Sequence, residues 1–475
     1  MLGELRLAIS AGVLAVAVLA SCTGAEGSGS GDGSDRGAGS AEPRRSSSGV
    51  HTSVPVAALD DETPCGRGFV CGVLEVPMDR AGGQETLRLP VGVRGQVDAP
   101  RGVLLVLAGG PGQAGVPLKD RIVELLGPDA ARAYRIVVLD QRGTGQTALD
   151  CPPLQRAMGF SDLTPPPAAA VRDCARRLGP DRELYSTDDV VADLDQLRRT
   201  LGVDRMTLYG TSYGTFVAEQ YALLHPERTA ALVLDSVVPH TGIDPLAVDV
   251  FSAVRRVLPA ACAAVGCPGD PVQDLATVVA DGYDGTALLD LVTMVSIVDP
   301  TFESLLAALH SAALGSTGDL DETVRGYREG FQGPADELSQ GLHASALCSD
   351  WTFPWGTSAA PLDGRDAAVQ EAVAAVPASD LVPFDARTAA GNGFVRQCLP
   401  WAPVPDAPLD RRGRLPDVPT LLLAGTHDLS TPLEWAKREA QVAPSGQLVV
   451  VEGAGHSVAR QGGRGREALR SFLLR

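Results

Sequence analysis

"RMTLYGTSYGTFVAEQYALL", residues 205–224, is the stretch on which the fold turns. Its opening, Met206–Tyr209, is a short apolar run that reads as a buried strand. Its end sets Val217, Tyr221 and Leu224 on one face and reads as a helix. Between them stands Gly210-Thr211-Ser212-Tyr213-Gly214. Where glycine is as common as it is here, the pattern G-x-S-x-G arises readily by chance, and a plain Gly/Ser turn is the bland reading. A strand before the motif and a helix after it form the context in which a serine becomes a nucleophile on a tight turn. The glycines matter because so sharp a turn leaves no room for neighbouring Cβ atoms. The helix N-terminus adds a positive dipole where charge develops on an attacked carbonyl oxygen.

The same rhythm extends on both sides. "CGVLEVPMD" (71–79) and "TLRLPVGVRG" (86–95) read as early strands, and "GVLLVLAGG" (102–110) and "YRIVVLD" (134–140) as fully buried parallel ones. "STDDVVADLDQLRRTLG" (186–202) reads as a helix capped by Ser186 or Thr187, with Val190, Val191, Leu194, Leu197 and Leu201 facing inward. After "TAALVLDS" (229–236) the pattern stops, and it resumes with "VPTLLLAGT" (418–426) and "QLVVVEG" (447–453). Short apolar strands alternating with amphipathic helices predict an α/β fold with a mostly parallel, doubly wound sheet. Residues 241–405 look helical and predict a cap inserted between core strands 6 and 7, over the active-site edge. The core then comprises residues 56–240 and 406–475.

The protein has 475 residues, 44 % hydrophobic and 21 % charged, with a net charge of −18. That suits a globular protein with a substantial core and disfavours nucleic-acid binding. Residues 1–21 carry Arg6 and an apolar run to Ala20, too short to span a bilayer comfortably, and read as a signal peptide. "LASC" ending at Cys22 resembles a bacterial lipobox, so acyl chains on Cys22 are the expected membrane contact. Residues 22–55, rich in Gly and Ser, read as a flexible tether. Eight further cysteines, even in number and behind an export signal, suggest disulfides. Local spacing suggests Cys65–Cys71, Cys151–Cys174, Cys262–Cys267 and Cys348–Cys398. No close Cys/His grouping suggests zinc, and the chemistry expected of Ser212 requires no metal or diffusible cofactor.

A serine nucleophile needs a base, an orienting acid and donors for the oxyanion. Of seven histidines, His427 and His456 follow late core strands. His456, in the Gly-rich loop "VEGAGHSVAR", is the expected base. His427, beside Asp428, reads as a structural or rim residue, and His225 as a surface one. Asp428, just after the penultimate strand, is the expected acid, with Asp235 as runner-up. The oxyanion donors are expected to be the Tyr213 amide and that of Gly109 or Gly110. Asp350 and Glu219 are weaker candidates for receiving a substrate ammonium group, outside the catalytic set. "DQRGTGQT" (140–147) is expected to buttress the oxyanion loop, with Asp140 and Arg142 forming a buried ion pair.

"AGGPG" (108–112), "LDQRGTGQT" (139–147), "GTSYGT" (210–215), "LLLAGTHDLSTP" (421–432) and "GAGHS" (453–457) occur in that order. Together they resemble secreted actinobacterial tripeptidyl-aminopeptidase-like hydrolases, of the prolyl-aminopeptidase branch of the α/β-hydrolase fold. The resemblance covers about residues 60–475, with a TAP-like C-terminal part. It implies an exopeptidase releasing short peptides or residues from a free N-terminus, beneath a helical cap. Where such proteins usually carry His or Asn before Gly109, this one has Ala108. A carboxylesterase with the same triad, or a non-catalytic surface binding protein, stands beside that reading.

Overall fold

The computed structural model describes residues 59–404 and 413–475. The leader, Cys22 and the tether lie outside the described residues. Nine strands form one sheet: β1 (Asp60–Pro64), β2 (Phe69–Pro77), β3 (Thr86–Arg94), β4 (Val103–Leu107), β5 (Arg135–Leu139), β6 (Met206–Ser212), β7 (Thr229–Val237), β8 (Thr420–Gly425) and β9 (Gly446–Val451). Their order is β1-β2-β3-β5-β4-β6-β7-β8-β9. Pairing is antiparallel from β1 through β3 to β5 and parallel from β5 onward. Residues of β4 and β8 are buried throughout, as strands covered by helices on both faces must be. The strand β1 was not expected. Its residues are all exposed and polar or proline, so no apolar alternation marks it. Because β1 precedes the two early strands, the helical insertion follows the seventh strand, not the sixth.

One face of the sheet is covered by the helices Thr187–Thr200, Tyr213–Leu224 and Leu433–Val442, the other by Lys119–Ala133 and Gly463–Leu474. In Thr187–Thr200 the expected inward stripe is buried, and Ser186 closes a capping box with Asp189. In Tyr213–Leu224, Val217 and Tyr221 are buried but Leu224 is 45 % exposed. The helix lies so deep that it has no narrow apolar stripe, and Leu224 falls at its end, just before Pro226.

The insertion builds a second core. The helices Val248–Val265, Gly285–Val298 and Glu303–Ala313 bury Phe251, Leu288, Leu289, Val292 and Leu309 among themselves. The helices Gln340–Asp350 and Gly393–Cys398 instead pack on the sheet domain's core. They meet Pro152–Met158 and Ala168–Leu178, which leave the sheet region between β5 and Thr187–Thr200 and join the same layer. All four disulfides expected from spacing are formed. Two of them, Cys151–Cys174 and Cys348–Cys398, tie this layer together. Among the described residues no helix is long and apolar enough to cross a membrane.

Candidate active site

β6 runs into Ser212 and turns at once into Tyr213–Leu224. Ser212 has φ 56° and ψ −128°, a conformation that costs about 1–3 kcal/mol for a residue with a side chain. Two glycines make the turn possible. A Cβ on Gly210 would lie 2.1 Å from the Gly214 carbonyl oxygen, and one on Gly214 would lie 2.5 Å from the Leu107 carbonyl oxygen. Both glycines of the motif are therefore required by close backbone approach.

The Gly-rich loop after β4 packs directly against this elbow. A Cβ on Gly109 would stand 3.1 Å from the Ser212 Cβ. The loop is held from two sides. Asp140 Oδ1 accepts the Val116 N–H at 2.8 Å, the Ser339 N–H reaches the Gly112 carbonyl at 3.0 Å, and the Ala114 N–H reaches Glu337 O at 3.2 Å. Asp140 thus buttresses this Gly-rich loop, but its expected pairing with Arg142 is not formed. The buried Arg142 guanidinium instead grips Asp193 through two 2.7 Å hydrogen bonds, from Nε and Nη2, and donates to Leu184 O at 2.6 Å. Asp193 lies on Thr187–Thr200, so the motif's arginine ties the sheet to that helix.

His456 and Asp428 come together from the loops after β9 and β8. His456 Nδ1 lies 3.0 Å from Asp428 Oδ2 and 3.3 Å from Oδ1. Asp428 also accepts the Ser430 and Thr431 N–H groups, both at 2.9 Å, and the Thr431 hydroxyl at 2.7 Å. Burial alone would raise the Asp428 pKa, but the His456 charge and these hydrogen bonds outweigh it and hold it below the usual carboxylate value. For His456, burial works against the charged ring, yet Asp428, with help from Asp235 and Asp162, leaves the pKa raised. With Nδ1 facing Asp428, Nε2 is the ring nitrogen left for chemistry. The contact from the Ser212 hydroxyl to His456 is not closed in this arrangement.

Asp235, the runner-up acid, has a different task. Its oxygens accept the Val458 and Ala459 N–H groups at 2.8 and 3.1 Å, and the Tyr209 hydroxyl at 3.2 Å. The neighbouring Ser236 hydroxyl accepts the Ser457 N–H at 2.8 Å. Asp235 and Ser236 therefore fix the turn that follows His456. Ser236 and Ser457 both have φ near 61°, so three serines in unfavourable backbone conformations gather at this sheet edge. His427 Nδ1 donates to Pro300 O at 2.7 Å, and the ring packs edge-on against Phe302, away from the acid pair. His225 sits at a helix end beside Arg228.

The insertion reaches into the site. From Gly285–Val298, the Ser296 carbonyl accepts the His456 N–H at 3.2 Å, and the Ser296 hydroxyl accepts the Leu429 N–H at 3.1 Å. One residue thus braces both the His456 loop and the Asp428 loop. Asp290, on the same helix, accepts the hydroxyls of Ser161 (2.5 Å) and Thr164. This orders the loop carrying Asp162. Asp162 lines the Ser212 cleft together with His343, Trp351 and Thr431.

Asp162 meets His343 Nε2 at 3.0 Å. Gln340 Nε2 donates to Gly159 O and Ser161 O, which leaves Gln340 Oε1 as the acceptor for Gln397 Nε2 at 3.4 Å. Gln397 Oε1 then faces His343 Nδ1 at 2.7 Å. Both ring nitrogens of His343 thus face oxygen partners, Gln397 Oε1 and Asp162 Oδ1. Neither Asp162 nor Ser296 stands in a motif. Their partners arrive more than a hundred residues away in the sequence, and no spacing signals them.

The two acids considered for an ammonium group lie elsewhere. The Asp350 carboxylate accepts the Thr187 N–H at 3.0 Å and the Thr187 hydroxyl. Glu219 is fully buried and does not line the cleft. Among the described residues no group of three or more His, Cys, Asp and Glu is placed to hold a metal ion.

A sharp serine elbow, a glycine loop against it and a buried His–Asp pair on the neighbouring strand ends are the groups that nucleophilic acyl transfer uses. The chain has the α/β-hydrolase fold, and its C-terminal part is similar to TAP-like proteins. Residues 102–255 match the alpha/beta hydrolase fold family, and residues 383–475 match the family of TAP-like proteins. It is 30 % identical over 188 residues to a tripeptidyl aminopeptidase of Streptomyces lividans, a match covering 35 % of each protein. It is 34 % identical over 131 residues to a proline iminopeptidase of Xylella fastidiosa, covering 28 % of this protein and 31 % of that one. Serine protease Hip1 of Mycobacterium tuberculosis is 24 % identical over 447 residues, 83 % of each protein. The match to the Streptomyces tripeptidyl aminopeptidase thus spans only about a third of that protein's length.

Proposed function

We propose that the protein is a serine exopeptidase that releases short peptides or residues from the free N-terminus of a peptide. Ser212 attacks the carbonyl. His456 Nε2 takes the hydroxyl proton and returns it to the leaving amine, while Asp428 orients the ring and stabilises the imidazolium. The amides of Tyr213 and of Gly109 or Gly110 hold the oxyanion. Water then repeats the sequence on the acyl-enzyme. The names of the relatives support a peptidase.

The observation that carries the exopeptidase reading is Asp162 in the Ser212 cleft. It is a carboxylate on an ordered loop, 34 % exposed while its partner His343 is fully buried. It takes the ammonium-receiving role for which Asp350 and Glu219 were considered. The cleft as it stands has about 20 Å³ of free space, room for about one water. Admitting a peptide therefore requires the inserted helices to shift from the sheet edge, as lids do.

The apolar leader, Cys22 and the Gly/Ser stretch support an extracytoplasmic enzyme tethered by lipid at Cys22. The four disulfides suit such an oxidising compartment. We divide the molecule into a sheet domain (56–240 and 406–475) and an inserted cap (241–405), with residues 151–178 contributing to the cap layer.

Two measurements test the reading. A fluorophosphonate should form an adduct at Ser212, located by mass spectrometry; folded protein with no adduct there defeats the mechanism. Matched peptides with free and acetylated N-termini should differ, with the free form preferred and the preference lost in Asp162→Asn. Equal turnover of both, or cleavage of simple esters alone, defeats the exopeptidase claim and favours a carboxylesterase.

A further inference from the structure

A second cavity, of about 380 Å³, lies on the sheet face that carries Lys119–Ala133 and Gly463–Leu474. Its volume falls within the range of small-molecule sites. Its apolar lining includes Val106, Ile122, Leu125 and Val138. Its rim carries Arg121, Arg460 and Arg466 from three different elements.

None of the three arginines forms an ion pair among the described residues. Arg466 donates to the carbonyls of Ala459 and Arg460. Two acids also line the cavity, and the Asp235 charge acts on Arg460, but each makes its hydrogen bonds or ion pair with other groups. Asp235 accepts two backbone N–H groups and the Tyr209 hydroxyl, and Glu124 lies 2.7 Å from Arg67. Arg121 and Arg460 are close enough that, after burial, the Arg121 charge is the next cause lowering the Arg460 pKa. Like charges brought together over an apolar pocket, in a protein of net charge −18, are an arrangement that a bound anion relieves.

We propose that this cavity binds a small anion with an apolar body, with the chemistry of a medium-chain fatty acid. The carboxylate would lie between Arg121 and Arg460, and the hydrocarbon over Ile122, Leu125 and Val138. The site is separate from the Ser212 cleft, with no lining residue in common, but its lining is next to that of the cleft in the sequence at Gly109 and Thr211. Gly109, Thr211 and Ser457 line the cavity; Gly109 belongs to the candidate catalytic set, and the other two adjoin members of it. The inference does not depend on which carbonyl Ser212 attacks.

Calorimetric titration of the full-length protein with octanoate and with 1-octanol tests it. Octanoate should bind at least about tenfold more tightly than octanol, and its affinity should fall as salt rises. The Arg121→Gln/Arg460→Gln double variant, checked for folding by circular dichroism, should lose the preference for the anion. Labelling Ser212 with a fluorophosphonate should leave octanoate binding intact. The proposal fails if octanoate does not bind, if both ligands bind alike, or if affinity is independent of salt. It also fails if the folded double variant keeps the preference, or if labelling Ser212 abolishes binding, which would place the ligand in the catalytic cleft.

Discussion

The two arms of the candidate site are held by different physics. The serine elbow is fixed by shape: Gly210 and Gly214 let backbone meet backbone at distances that no other residue permits. The His456 arm is fixed by polar contacts: Asp428, Asp235, Ser236 and Ser296 supply carboxylates, a hydroxyl and a carbonyl to its loops. An arm held by shape does not titrate, but tolerates almost no added volume. An arm held by charge accepts small changes of shape, but responds to pH and to the inserted helices that complete it. Under the proposed function, that division has a use. Ser212 stays where the sheet puts it, while the His456 and Asp428 loops depend on their contacts with Ser296 of the insertion.

The largest effect should come from the charged arm. Asp428→Asn keeps the shape but removes the charge opposite His456 Nδ1, and kcat should fall about 10⁴-fold. The pH profile of kcat/KM should move as well. In the native protein His456 must be neutral to act as base, and its pKa lies above the ordinary histidine value, so activity should rise with pH late. Without Asp428 the residual activity should rise at lower pH. A fall in rate with no shift of the acid limb would mean that Asp428 is not what raises His456.

Next is the elbow. Gly210→Ala puts a Cβ 2.1 Å from the Gly214 carbonyl, and backbone must move to admit it. Stability should drop by roughly 3 kcal/mol or more in denaturant titration, and the fluorophosphonate adduct at Ser212 should be lost. The shape of the pH profile of any remaining activity should not change, in contrast with Asp428→Asn. A stable, fully labelled Gly210→Ala variant would show that the elbow is not set by close contact.

How much of the fold and site is legible in the sequence follows from the same division. β4 and β8 are covered on both faces and carry unbroken apolar runs, so their sequence announces them. The elbow is a contact between residues four apart, and such local sterics leave a motif. Three of the disulfides join cysteines at most 23 residues apart, so spacing suggests them. β1 escapes notice because an exposed edge strand of polar residues has no pattern to read. Arg142 pairs differently from expectation because Asp193 comes from a helix 51 residues later, while Asp140 stands close by in the motif. Asp162 and Ser296 are not marked at all. Their contacts cross between the sheet region and the insertion, and nothing local encodes that docking.

Ser296 allows the dependence on the insertion to be measured. Ser296→Ala removes the hydroxyl that accepts the Leu429 N–H but keeps the carbonyl that holds the His456 N–H. A buried donor left without a partner costs about 1–3 kcal/mol, part of which should appear as a looser Asp428 loop. We expect kcat to fall about tenfold, on the order of 1.4 kcal/mol, with KM and the position of the acid limb nearly unchanged. Ser296→Thr, which restores a hydroxyl, should recover most of the rate. If Ala and Thr behave alike, the brace is structural only.

The smallest effect is expected at a titratable group that does not line the cleft. Glu219 is on the nucleophile helix, fully buried, and neither of its oxygens has a hydrogen-bond partner among the described residues. The charged neighbour that acts on it is Glu439, whose Oε1 meets His240 Nδ1 at 2.6 Å. Burial first, and then the Glu439 charge, push the Glu219 pKa well above the usual carboxylate value. The native state therefore holds a proton that the unfolded protein releases at lower pH. Stability on this account is full below the unfolded glutamate pKa and is lost as pH rises toward the folded one. Glu219→Gln keeps the size and removes the titration. Its stability should match the parent in mild acid and exceed it by about 1 kcal/mol in alkali, with kcat unaltered. Equal slopes of stability against pH for the two proteins would mean that Glu219 stays ionised in the fold. The helix behind Ser212 would then hold a buried charge as well as a steric turn, and the shape-held arm would respond to pH after all.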